Sequence, residues 1–106
     1  MSPEQNKKLF QFLSTNWYDR PEDDDEIVRE IVSEEDPQYV SDSLDVIRQM
    51  LASPEPQAEK AKFIRHSAWR TLGKDNAAPL QWLSSIADQL EQAQKARGQP
   101  PGLIDS

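Results

Sequence analysis

His66 is the only histidine in the 106-residue chain, and there is no cysteine. Thiolate chemistry, disulfides and thiolate metal sites are therefore excluded. A lone histidine in IRHSAW, with no nucleophile motif near it, reads as a helix surface residue and not as a general base. The chain has no G-x-S-x-G elbow, no P-loop and no dinucleotide fingerprint. The remaining groups dense enough to do chemistry are carboxylates. In DRPEDDDE, Asp19 to Glu26, six of eight residues are acidic and only Arg20 offsets them. A calcium loop of the D-x-[DN]-x-[DN]-G kind needs a glycine at its sharp turn and six to eight inward oxygens. DRPEDDDEIV has no glycine. The expectation is a protein that is not an enzyme, with no metal and no cofactor.

Charge is distributed unevenly. Residues 1–55 hold 14 Asp/Glu and 5 Lys/Arg, whereas residues 56–106 hold 5 and 7, for a net charge of −7. An acidic N-terminal half argues against direct nucleic-acid binding, which calls for a basic patch. It suits a basic partner, or solubility alone. Four aromatics bear on the same question. Trp69 and Trp82 lie near apolar stripes and read as core. Trp17 and Tyr18 stand directly before the acid run, where an aromatic anchor beside steering charges would sit, although one of the two is expected to seal the end of the core.

The elements that must carry these groups read as helices. Ser2 and Gln5 form a capping box with Pro3 in the first helical position. The first helix, with Leu9, Phe10, Phe12 and Leu13 apolar, is expected to end near Thr15. A second covers about Asp25 to Glu34, with Ile27, Val28, Ile31 and Val32 on one face. Asp24 would fall on that same face if helical, so it is placed at the N-cap. Asp25 and Glu26 then meet the positive end of the helix dipole. The third helix starts at Asp36-Pro37. Its two apolar stripes (Val40, Leu44, Ile47 and Leu51; Tyr39, Val46 and Met50) predict a central element covered on two sides. SPEP breaks the chain. A fourth helix runs from about Gln57 to Leu72 and stops at Gly73. A fifth begins after KDNAAP, with Asp75 or Asn76 near its cap, and fades near Arg97. The basic segment KAKFIRHSAWR is assigned to solubility or to pairing with acids of the second or third helix.

One domain of residues 1–97 is expected, an all-α bundle of about five helices, followed by a flexible tail, 98–106. No apolar run approaches the ~18 residues of a membrane span, and MSPEQNKK lacks a secretory apolar core. A cytoplasmic protein with no membrane contact is expected.

The stretch LFQFLSTNWYDRPEDDDEIVREIVSEEDPQYVSDSLDVIRQML resembles the small helical immunity proteins of bacterial contact-dependent growth inhibition systems. The shared features are an aromatic-rich first helix, an aromatic followed by acids, a helix ending in an acidic stretch and a Leu-rich third helix. Leu72-Gly73 and the last helix LQWLSSIADQL complete the likeness, which covers roughly residues 9 to 90. The basic segment and the proline-rich tail depart from it. The resemblance implies a cytosolic protein that binds the C-terminal toxin domain of a delivered effector, often a nuclease, and inhibits it by occlusion.

The charge argument, independent of that likeness, assigns toxin contact to Asp19, Glu22, Asp23, Asp25, Glu26, Glu30, Asp42 and Asp45. Trp17 or Tyr18 is the expected aromatic anchor. These acids make one field if the second and third helices pack as an antiparallel pair. The partner is expected to be a basic toxin domain, a nuclease by preference. Two rivals remain: an adaptor that binds a partner peptide or helix in an apolar groove, and a small metal-dependent enzyme using the acid run.

Overall fold

The computed structural model describes residues 2–18, 20, 22–68 and 75–98, the last two by main chain only. Five helices are present, α1 (Pro3–Trp17), α2 (Asp24–Glu34), α3 (Pro37–Ala52), α4 (Gln57–Ala68) and α5 (Ala77–Gly98), and no strand occurs among the described residues. The protein is all-α, as its sequence pattern predicts.

The helix starts follow from local side-chain chemistry. The Ser2 hydroxyl accepts from the Gln5 amide N–H at 3.2 Å, and the Gln5 side chain accepts from the Ser2 N–H at 3.0 Å. Two otherwise orphaned donors are thereby satisfied. Asp36 caps α3, accepting from the Gln38 N–H at 2.7 Å, with Pro37 in the first helical position. Asp75 accepts from the Ala78 N–H at 2.9 Å before α5.

Two boundaries differ from expectation. α1 continues past Thr15 to Trp17. Asn16 and Trp17 prolong the buried stripe of Leu9, Phe12 and Leu13 at helical spacing, and the Asn16 amide donates to the Phe12 carbonyl at 2.8 Å. The N-cap of α2 is Asp23, not Asp24: its carboxylate accepts from the Glu26 N–H at 3.0 Å. Asp24 is therefore helical and faces inward with Ile27, Val28 and Ile31. The expected end of the fourth helix at Leu72-Gly73 and the placement of Trp69 lie outside the described residues. So does the tail beyond Gly98.

α5 packs against α2, α3 and α4, while α1 packs on α4 and α3 and touches α2 at its edge. α3 is thus covered on two sides, by α1 and α5, as its double stripe predicts. α2 and α3, by contrast, meet only at their margins, and the expected antiparallel pair does not form. α2 lies along α5 instead, in the same direction: Asp24 at its start meets Trp82, and Pro37, just past its end, meets Gln94. One core runs through the bundle, from Leu9 and Phe12 of α1 through Ile27 and Ile31 of α2 to Leu83, Ile86 and Leu90 of α5.

Candidate binding surface

The acid run divides into separate roles because a helix turns about 100° per residue. Asp23 caps. Asp24 points into the bundle, where one carboxylate oxygen accepts from the Trp17 indole at 3.0 Å and the other from the Trp82 indole at 2.8 Å. Three helices are joined at that carboxylate. The two indoles also meet edge to face, with ring centroids 5.5 Å apart, an arrangement their quadrupoles favour. Asp25 and Glu26 point outward and are exposed.

Trp17 is consequently not a surface anchor. It is 1% exposed and belongs to the core, because α1 extends through it and its single polar atom is taken by Asp24. Tyr18, one residue past the helix, is 47% exposed. Of the two aromatics, one seals the core and the other is presented outward.

Arg20 draws two of the expected acids together. Its Nε lies 2.7 Å from Glu22 and its Nη2 lies 2.9 Å from Glu30. The hydrogen-bonded Glu22 carboxylate, followed by Glu30, raises the guanidinium above its ordinary value, so this clamp stays cationic. Glu22 and Glu30 are therefore partly neutralised within the chain. Asp25 and Glu30 stand about 140° apart around α2, on opposite edges of the helix.

The α3 acids occupy a different place. Asp42 and Asp45 are exposed on the groove between α1 and α3, beside Glu4, Gln5, Lys8 and Gln49. Asp42 accepts from the Gln38 amide at 2.9 Å. Glu35 joins Asp42 along the next stretch of the same groove, with Lys8 and Tyr39. Asp19 lies outside the described residues. The expected acids thus fall on two surfaces, the first turn of α2 and the α1–α3 groove, with the Arg20 clamp as a third group. No ion pair engages Asp23, Asp25, Glu26, Asp42 or Asp45 among the described residues.

The basic segment takes up a role that sequence reasoning missed. Lys60 is 9% exposed, and its ammonium donates to the carbonyls of Leu51 at 3.2 Å and Ser53 at 2.6 Å. It closes the C-terminal end of α3, where the dipole favours a cation, and pairs with no acid of α2 or α3. His66 is exposed and stacks on Phe10 of α1 at 5.9 Å, a surface packing role. Across the bundle Arg48 of α3 binds Glu91 of α5 and stands 3.9 Å from Asp88.

An open groove runs between α2 and α5, of about 720 Å³, lined by Asp25, Val28, Arg29, Val32 and Ser33 on one side and Gln89, Gln92, Ala93 and Ala96 on the other. Among the described residues no group of three or more His, Cys, Asp or Glu side chains converges as a metal site would require. No described helix is long and apolar enough to cross a membrane.

A small helical bundle that spends part of an acid run on its own core and presents the rest outward has the make-up of a protein-binding module. Residues 6–90 match the family model described as CdiI immunity protein, and the chain belongs to that family. It is accordingly an immunity protein of a contact-dependent growth inhibition system, and its partner is a cognate toxin. Neither the curated proteins nor the solved structures yield a match.

Proposed function

We propose that the chain works in the cytoplasm, where it occludes a basic toxin domain of nuclease type, steering and holding it through outward carboxylates. The observation that carries this reading is the exposure of Asp23, Asp25, Glu26, Asp42 and Asp45 without an ion-pair partner among the described residues. Glu22 and Glu30, partly neutralised by Arg20, leave a smaller negative charge on another edge of α2, Asp19 belongs to the same run, and Tyr18 supplies an exposed aromatic. A nuclease must hold phosphates with Lys and Arg. Carboxylates presented to the same cations compete for them directly. Inhibition by occlusion needs no catalytic group, which agrees with the single, surface-stacked histidine. Steering of this kind raises association rates by roughly 10–10³-fold and fades with salt.

Two double variants test it, Asp25→Lys with Glu26→Lys and Asp42→Lys with Asp45→Lys, against the effector's C-terminal toxin domain. Association at low salt is expected to slow by about tenfold or more for the surface that faces the toxin, with the α3 pair melting near wild type and the α2 pair losing its helix-start charge, about 0.3–1 kcal/mol at each position. Asp25→Asn with Glu26→Gln, which keeps neutral side chains in the first turn, guards against a helix-start effect. Association rates equal to wild type in both double variants, at every salt concentration, would refute the steering role.

A further inference from the structure

Tyr18, the exposed aromatic, stands between two fastened neighbours. Before it, Trp17 is buried in the core with its indole on Asp24. After it, the Arg20 backbone N–H donates to the Trp17 carbonyl at 3.2 Å, which closes a turn with Tyr18 in its first central position. The Arg20 side chain ties that turn to α2. Its Nε lies 2.7 Å from Glu22 in the loop, and its Nη2 lies 2.9 Å from Glu30 in the second turn of the helix. One planar guanidinium thus spans loop and helix, through a fork that a lysine ammonium does not reproduce. Arg20 is also the single cation in an acid run. Toward a basic partner its charge is unfavourable, so steering does not account for its place there.

We propose that Arg20 is a positioning residue for toxin binding, which holds the Tyr18 turn in order before the toxin arrives. A loop fixed in advance loses its conformational freedom on folding and not on binding, so more of the contact energy appears as affinity. A tyrosine on a fixed backbone offers a large contact area and has only two side-chain torsions left to order. The inference rests on toxin binding through Tyr18, but not on the steering role of the α2 and α3 acids.

Arg20→Gln removes both the fork and the charge, and Arg20→Lys removes the fork alone. Binding of each to the effector's C-terminal toxin domain is followed kinetically. Both variants are expected to dissociate about threefold faster or more. Association at low salt is expected to rise slightly in Arg20→Gln, which has lost a cation, and to stay at wild type in Arg20→Lys. In the Tyr18→Ala background Arg20→Gln should add little, because the two act through one contact. In the free protein, backbone order at Tyr18, Arg20 and Glu22, read by NMR relaxation, should fall below about 0.6 in both variants. The melt should stay near wild type, since partly exposed ion pairs contribute little to stability. Slower dissociation of Arg20→Gln would overturn the proposal, because it is the sign expected of charge alone. Additive effects of Tyr18→Ala and Arg20→Gln would also overturn it, as would an ordered loop in both Arg20 variants. Wild-type dissociation in Tyr18→Ala would remove the anchor itself. Wild-type dissociation in both Arg20 variants with Tyr18→Ala impaired would remove only its positioning. The steering role is read in association rates on charge reversal, so its failure is distinguishable from either.

Discussion

Replacing Asp24 tests the internal half of the acid run. The Asp24 carboxylate accepts both indole N–H groups, at 3.0 Å from Trp17 and 2.8 Å from Trp82. In Asp24→Ala both donors lose their acceptor. Trp82 is half-buried and can turn to water, but Trp17 is 1% exposed and cannot. A buried donor left unsatisfied costs roughly 1–3 kcal/mol, and a hydrogen bond to a charged group contributes about 1.5–3. A total loss of about 2–4 kcal/mol follows. Against the ~5–15 kcal/mol that holds a domain of this kind together, that is a large share. At about 4–8 °C per kcal/mol, the melting temperature should fall by roughly 10–30 °C.

Asp24→Asn is the sharper variant. Its volume is the same, but one of the two acceptors becomes an NH₂ group facing an indole donor. It should therefore cost nearly as much as alanine. Trp82→Phe added to Asp24→Ala should cost less than Trp82→Phe alone, since the bond it removes is already gone. Urea and thermal melts followed by circular dichroism give the stabilities, and tryptophan fluorescence reports the indoles directly. An Asp24→Asn protein within about 0.5 kcal/mol of wild type, the range of an ordinary surface change, would refute the carboxylate's role as a joint.

Lys60→Met keeps the aliphatic stem but leaves the Leu51 and Ser53 carbonyls without their donor; a loss of about 1–3 kcal/mol is expected in denaturant melts. Lys95, hydrogen-bonded to Glu91, and then Arg48 hold that carboxylate below its usual range. A depressed folded-state value contributes stability above the unfolded value of about 4.3 and loses it as pH falls through the lower folded one. Glu91→Gln should accordingly flatten the acid limb of stability against pH, measured as melting temperature from about pH 5 downward. Tyr18→Ala should weaken toxin binding by about tenfold or more if the exposed ring is an anchor, read from the dissociation rate with a thermal melt run alongside to separate any effect on folding.

Features governed by neighbours in sequence are legible in the sequence itself. The Ser2–Gln5 box, the Asp36-Pro37 start and the buried stripes of α2 and α3 need only a few consecutive residues. The N-cap of α2 lies one position from the one periodicity suggests because three consecutive aspartates, Asp23 to Asp25, can each cap. What selects Asp23 is the fate of Asp24: a charged residue on an apolar stripe looks unfavourable until its acceptors find Trp82, 58 positions away. Periodicity gives a helix its inner face but not its neighbour. The stripe Ile27, Val28, Ile31, Val32 fits against α3 or α5 equally well, and only the assembled bundle places it on α5. The same limit hid the Arg20–Glu30 pair and the Lys60 cap on α3, in which a cation finds a partner that is not an acid.

The division of labour within Asp23–Glu26 bears on why the charge is so concentrated. Four successive carboxylates would repel one another in any arrangement that left all of them in water on one side. On a helix start they do not share a side. Asp23 is held by a backbone donor, Asp24 by two indoles turned inward, and Asp25 and Glu26 by the positive end of α2. The fold therefore offsets much of the repulsion with its own donors, and outward acids can be kept without unfolding the turn that carries them. A consequence separates structure from function within one segment. Substitution at Asp24 should lower stability and toxin affinity together, because α2 loses its tie to α1 and α5. Substitution at Asp25 or Glu26 should change toxin kinetics at the cost of only the helix-start charge, about 0.3–1 kcal/mol at each position. If Asp24→Asn weakened binding with no loss of stability, Asp24 would have to face the toxin and not the tryptophans, and the inward assignment would be wrong.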